Sequence, residues 1–188
     1  MSGGLRVEDR IAIQDVLYRY ARGVDRRDWE LVRSVYHPDA TDDHGGYRGG
    51  VDGLLDYLRA RHEHIEQSLH VITNCLVEFD GPDSALVESC FVTFQRVLPD
   101  AGAVRLRYRT SRPLGDDEAV QGQAVGRYVD RLERRDGVWR IARRTTVYEV
   151  YRGEPAPVGG GLEPGWTQAR RDGHDPVEVQ GRSLGRGR

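Results

Sequence analysis

The hydrophobic positions along the chain change their period once. From about Val7 to Val24, the residues Ile13, Leu17, Tyr20 and Val24 recur at spacings of four, three and four, the stripe of an amphipathic helix. Gly23 lies near its end. Asp28 then offers an N-cap to a short second helix with Trp29, Val32, Val35 and Tyr36 on its apolar side, and Pro38 stops it. The two predict a helical hairpin. An extended piece at about Ala40 to Asp43 leads into the glycine-rich stretch 44–50, after which Val51, Leu54, Leu55, Leu58 and Ile65 mark a third helix.

From Leu69 the period is 2, and strands are predicted at about 69–79, 84–97, 103–112, 119–134 and 138–150. The connectors Asp80–Asp83, Pro99–Gly102 and Asp136–Gly137 are short, which favours antiparallel neighbours over crossovers. The expected architecture is α+β: three N-terminal helices covering one face of a mostly antiparallel sheet, in a domain spanning 1–152. Between 84 and 97, Val87, Phe91 and Val97 share one parity and Leu86, Val92 and Phe94 the other, so both faces look buried. The helices can cover only one. The other predicts a homo-oligomer, a dimer or trimer. Residues 153–188 carry 9 glycines and 4 prolines and read as an extended or disordered arm, with Trp166 as a local anchor.

Composition narrows the function. Twenty-eight basic residues, all arginine, against 30 acidic ones give a net charge of -2, so no bulk attraction to nucleic acid or anionic lipid follows. There is no apolar run of about 18 residues and no secretory leader, and a soluble cytoplasmic protein is expected. Cys75 and Cys90 lie in strand-like segments without CxxC spacing and read as buried thiols. No Walker loop, GxGxxG, HExxH, GxSxG or EF-hand pattern occurs, and no cofactor is expected. Asp42-Asp43-His44 and His62-Glu63-His64-Glu66 contain metal-ligand types, but the first precedes flexible glycines and the second spreads around an exposed helix; a solvated face is preferred and no metal is assigned. Arg105, Arg107 and Arg109 alternate along one predicted strand and lack the aromatic platform of a nucleic-acid site.

The candidate chemistry gathers Tyr20, Asp25, His70 and a late strand arginine. Tyr20 faces inward on the helix stripe, and Asp25 follows at the helix end, on the edge of the apolar core. His70 opens a strand and shares its parity with Ile72, Asn74 and Leu76. If that face meets the helices, the aspartate can fix the imidazole tautomer, leaving the second ring nitrogen to accept a proton. Tyr20 could then donate to a substrate oxygen and the arginine neutralise an enolate or carboxylate. Each residue also has a plainer reading: a turn aspartate, a core tyrosine, a satisfied strand histidine.

Several runs carry a resemblance: Tyr20 through Asp25, Asp28-Trp29 and Glu30; His37 through Ala40; Gly49 before the third helix; Leu69-His70 through Asn74; and Asp136 through Trp139 and Ile141. Over residues 7–150 the chain resembles the SnoaL-like branch of the nuclear transport factor two superfamily. Within it, the chain is similar to the group of scytalone dehydratase, bile-acid 7α-dehydratase and hexachlorocyclohexane dehydrochlorinase. The resemblance implies a cone-shaped α+β barrel with one deep pocket and cofactor-free lyase chemistry on a small molecule. It carries Asp25 and His70 onto the group's Asp–His pair, Tyr20 onto the bile-acid enzyme's tyrosine, and Arg144, with Arg143 adjacent, onto the pocket arginine. It also sets the strand of Asp43 beside the cavity, so Asp43, Asn74 and Arg144 are assigned to substrate binding and Asp25, His70 and Tyr20 to catalysis. Val24 stands where scytalone dehydratase has a tyrosine and Phe94 where it has a second pocket histidine, which argues against scytalone as substrate. The implied function is a dehydratase acting on a cyclic or polyketide-like molecule. The same dyad would serve an isomerase or cyclase, and the fold also hosts non-catalytic assembly subunits. A filled cone would favour the last reading, a cavity of about 300 Å³ or more the first. An epoxide hydrolase would need an Asp–Arg–Asp set that the sequence does not display.

Overall fold

The computed structural model describes residues 6–160 and 162–184. The hairpin forms as the pattern predicts. Helix α1 (Val7–Arg26) buries Ile13, Leu17, Tyr20 and Val24. It closes with Asp28 N–H donating to the Gly23 carbonyl at 2.8 Å and Arg27 N–H to that of Val24 at 3.3 Å, and Arg27 takes the left-handed position at φ 58°. Gly23 is therefore not the cap. It marks where α2 (Trp29–Ser34) crosses, since a Cβ there would lie 2.7 Å from Val32 Cγ2. The Asp28 cap holds, accepting from Leu31 N–H at 3.0 Å. The helix is shorter than predicted because Tyr36 opens strand β1 (Tyr36–Asp43). Pro38 sits within that strand's register shift, where a missing N–H breaks no ladder bond.

Strand β2 (Arg48–Gly50) leads into α3 (Val51–Glu63), followed by β3 (Ile65–Phe79) and β4 (Ser84–Val97). Ile65 thus belongs to a strand, not to the third helix. A short helix α4 (Ala103–Leu106) precedes β5 (Ala119–Arg135) and β6 (Val138–Ala156). The curved six-stranded sheet has the order β2-β1-β6-β5-β4-β3, antiparallel except for β1 beside β6. The α+β expectation holds. Asp136 and Gly137, at φ 52° and 77°, form the two-residue hairpin between β5 and β6 that Asp-Gly predicts. The core packs the inner stripes of α1 and α3 against Val77, Val87, Phe91, Tyr128, Leu132 and Ile141 of the sheet.

The predicted strand at 103–112 does not form. The segment makes one isolated bridge, Arg109 to Arg152 of β6, while β5 pairs directly with β4. Leu106 is exposed, Tyr108 turns inward to stack on Tyr151 at 4.4 Å with Val104 partly buried beside the same cluster, and the arginines of this segment do not share a strand face. The arm also differs from expectation. β6 continues past residue 152 to Ala156, and a helix α5 (Pro176–Ser183) begins at Asp175 with a complete capping box from Glu178. Trp166 is exposed and anchors nothing; Arg171 does, as described below. Cys75 and Cys90 are half-buried free thiols rather than core residues. Leu69, Leu76, Leu86 and Phe94 lie exposed on the sheet side away from the helices, so the face expected to be buried is open in the single chain. Among the described residues, no helix is long and apolar enough to cross a membrane.

Candidate active site

The last turn of α1 and the start of β3 bring Asp25 and His70 together. His70 Nδ1 lies 2.6 Å from Asp25 Oδ1, and the backbone N–H of His70 donates to Oδ2 at 2.7 Å. Ser68, on the same face of β3, donates its hydroxyl to Oδ1 at 2.8 Å. Three donors thus converge on one buried carboxylate, which is how such a charge is tolerated at a core edge. His70 Nε2 makes no hydrogen bond to the described residues, so the ring has one nitrogen held and one free.

Burial pushes the Asp25 carboxyl up, yet the His70 charge and the hydrogen bonds from His70 and Ser68 outweigh it and hold the acid below its ordinary 3.8. As the pH falls the unfolded chain takes up this proton first, so the stabilisation is complete above 3.8 and is lost as the pH drops toward the folded value. In urea unfolding between about pH 7 and 3, the stability deficit of Asp25→Asn should therefore shrink at the acid end. A deficit that does not change with pH would mean the carboxyl is not ionised in the folded protein.

Two of the expected binding residues are displaced by local geometry. A register shift between Ile72 and Cys75 turns β3 over: Ser68, His70 and Ile72 face inward before it, Cys75 and Val77 after it, and Asn74 is exposed. Asn74 does not reach the site. On β1 the inward residue is Asp42, which accepts from the Tyr36 hydroxyl at 2.7 Å and lies 3.3 Å from His44 Nδ1. Asp43 points outward and pairs with the exposed Arg48 at 2.5 Å.

Arg144, not Arg143, is the inward arginine, but its charge is committed. Nε and Nη2 donate to the two carboxylate oxygens of Asp130 at 2.8 and 2.6 Å, with both side chains fully enclosed. The guanidinium lies between the rings of Tyr20 and Tyr128, 4.2 and 4.0 Å from their centroids, and Nη1 has no hydrogen-bond partner. Register places Asp42 and Asp130 on either side of Arg144 across three neighbouring strands. An Asp–Arg–Asp set therefore exists, against the reading of the sequence, but none of its members lines either of the two voids around the dyad. Burial pushes the Tyr20 hydroxyl well up, with Arg144 opposing only in part, so Tyr20 is a neutral donor at physiological pH.

His70 stands between those voids. The inner one, about 30 Å³, holds no more than a water-sized molecule and is walled by Tyr20, Arg61, Gln95, Phe91, Tyr128 and Tyr148 among others. The outer one is an open groove of about 370 Å³ between α1, β3 and the arm, lined by Asp25, His70, Arg22, Ile72, Asp175 and Val177 among others. The arm is fastened beside the dyad. Arg171 donates to the carbonyls of Asp25 at 2.7 Å, Val24 at 3.1 Å and Ile65 at 2.5 Å, and meets His62 Nδ1 at 2.5 Å. Asp175 pairs with Arg26 at 3.3 Å.

Several of these residues escaped sequence reasoning although signals existed. Ser68 precedes His70 by two residues in one strand, Arg61 continues the Leu54–Leu58 helix stripe, and Asp175-Pro176-Val177-Glu178 spells a capping box. His62 is buried rather than exposed. Among the described residues, no group of His, Cys, Asp and Glu is arranged to hold a metal ion.

The SnoaL-like domain profile matches residues 5–145. A type 2 hexachlorocyclohexane dehydrochlorinase shares 21% identity at a TM-score of 0.66, covering 86% of this chain and 97% of its own. A scytalone dehydratase-like protein from Novosphingobium aromaticivorans shares 19% at 0.61, covering 83% and 97%. The β subunit ascribed to an aromatic-ring-hydroxylating dioxygenase of the same bacterium shares 19% at 0.55, covering 78% and 93%. No curated protein matches. At such identities the structural likeness speaks for the fold, while the profile covers most of the sequence: the chain belongs to the SnoaL-like domain family of the nuclear transport factor two-like superfamily.

Proposed function

We propose that this protein is a cofactor-independent lyase, a dehydratase that acts on a small cyclic or polyketide-like molecule. His70 Nε2 removes a proton from carbon next to a carbonyl, Asp25 holds the ring and stabilises the imidazolium, and Tyr20 donates to the oxygen that becomes enolate-like. Arg144 acts from behind, its charge lying against the Tyr20 ring. The observation that carries this reading is the 2.6 Å Asp25–His70 contact beside a ring nitrogen free of protein partners. The dehydrochlorinase and the dehydratase-like neighbour add weight. Isomerisation or cyclisation starts with the same deprotonation and differs only in what the carbanion does next.

One observation favours the second reading, a non-catalytic binding or assembly subunit. The inner void that His70 shares with Tyr20 is about 30 Å³, far below the ~300 Å³ of an ordinary small-molecule site. The outer groove of about 370 Å³ reaches Asp25 and His70 but not Tyr20, so a substrate meets both His70 and Tyr20 only if the wall of Arg61, Tyr148 and Tyr151 moves. Tyr148 is 39% exposed, and Arg61 and Tyr151 are half-buried beside it, so the wall meets solvent. Deuterium exchange separates the two. A panel of cyclic ketones in D2O, followed by NMR, should exchange at the carbon next to the carbonyl with the parent protein and not with His70→Gln. Ligands that bind without exchanging would favour the binding subunit.

The open apolar sheet face supports self-association into a dimer or trimer. Light scattering after size exclusion should give two or three times the 21.3 kDa chain mass, and Phe94→Glu should shift the species toward one chain. A monomer across micromolar concentrations would reject this.

A further inference from the structure

Arg61 comes from the last turn of α3, and its guanidinium forms part of the wall that also carries His70 and Tyr20. Its Nη2 donates to Gln95 Oε1 at 2.9 Å and lies within reach of the hydroxyls of Tyr151 at 3.3 Å and Tyr108 at 3.4 Å. All of these partners are neutral. Arg144 has Asp130 and Arg96 has Glu66 as counter-charge, and Arg171, which also faces neutral partners, spends its donors on three backbone carbonyls. No carboxylate of the described residues pairs with Arg61. The tyrosines do not stand in for one, because burial lifts the Tyr148 hydroxyl to about 12 and that of Tyr108 higher still. A half-buried cation facing only dipoles gives up part of its water without gaining an opposite charge, an arrangement that favours an arriving anion.

The same guanidinium is wired to the dyad. Gln95 Nε2 donates to Ser68 Oγ at 3.3 Å, and Ser68 donates to Asp25 Oδ1, so a chain of hydrogen bonds runs from Arg61 through Gln95 and Ser68 to Asp25 and His70. Around the cation stand the aromatic rings of Tyr148, Tyr151 and Phe91.

We propose that Arg61 is the docking point for the anionic group of the ligand, and that the substrate is a small organic acid: a carboxylate, or an acidic phenol or enol, whose apolar body lies against these rings. The inference deepens the lyase reading by naming its substrate class, and its test is of binding alone. A planar carboxylate can accept two parallel N–H bonds from the fork, whereas the matched amide brings no charge.

The test uses two isosteric pairs as probes: formate against formamide, the smallest acid and amide, which ask for the least movement of the wall, and benzoate against benzamide, which requires it to open further. Each is titrated by NMR into the full chain labelled with 15N, in chloride-free buffer, following the Arg61 Nε–H resonance. The parent should prefer the acid of at least one pair by about tenfold or more. Arg61→Gln should lose that preference and Arg61→Lys retain part of it, with thermal unfolding confirming that both fold. Equal affinity for acid and amide, an unchanged preference in Arg61→Gln, or no binding of any probe by the parent would overturn the proposal. Ketone exchange with no acid preference sinks Arg61 alone; acid preference with no exchange sinks the dyad and leaves Arg61 standing.

Discussion

Asp130→Ala should lower the unfolding free energy by about 3–5 kcal/mol, because it leaves Arg144 charged and enclosed without its partner. Asp42, across the other strand, acts on Arg144 only at a distance and makes no hydrogen bond to it. Arg144 already has one unpartnered nitrogen, its remaining contacts are the ring faces of Tyr20, Tyr128 and Tyr36, and the nearby Asp42 is engaged by Tyr36 and His44. Burial by itself lifts the Asp130 carboxyl, with Arg144 opposing, so the pair owes its ionised form to mutual contact. In a chain of this size the loss corresponds to a melting temperature lower by on the order of 10 °C. Replacing both partners with leucine should recover most of it, since two charges then no longer need burial. Urea midpoints of the three proteins decide the matter, and a single-variant loss below about 1 kcal/mol would mean that water reaches Arg144.

The other large effect is chemical. His70→Ala should reduce turnover on the order of 10²-fold or more, measured on whichever ketone exchanges fastest with the parent protein. Its fold should survive, because the ring makes one side-chain hydrogen bond and Asp25 keeps two other donors, the His70 backbone N–H and Ser68. Added imidazole should restore part of the rate if the deficit is a missing base. Near-parental exchange in this variant would remove His70 from the mechanism and move weight to the binding reading.

The dyad was within reach of the sequence because each half reports locally. Asp25 closes a helix stripe, His70 lies where the sequence takes up the alternation of a strand, and the family resemblance joins them across 45 residues. Asn74 and Asp43 failed for a different reason. Parity counts survive only while a strand keeps its register, and the shift in β3 after Ile72 inverted it for Asn74. On β1 the shift spans residues 36–41, where an error of one residue exchanges Asp42 for Asp43. The false strand at 103–112 shows a related limit: alternation describes a segment able to pair, and here a short helix at Ala103–Leu106 replaces all but one bridge, Arg109 to Arg152.

What the sequence determined by itself was local and periodic: the first helix and its Asp28 successor, the Asp-Gly hairpin, the four long strands and the side of the helix on which Tyr20 lies. Those follow from backbone sterics, capping and the burial of one face, all of which act within a few residues. Only tertiary structure decided which charges meet. Asp130 reached Arg144 from the neighbouring strand, Arg171 crossed 146 residues to hold the Asp25 carbonyl, and Arg61 was left facing neutral oxygens. Electrostatic partners are set by distances through space in a low-dielectric interior, and those distances depend on sheet curvature, bulges and the path of the arm, none of which has a period along the chain.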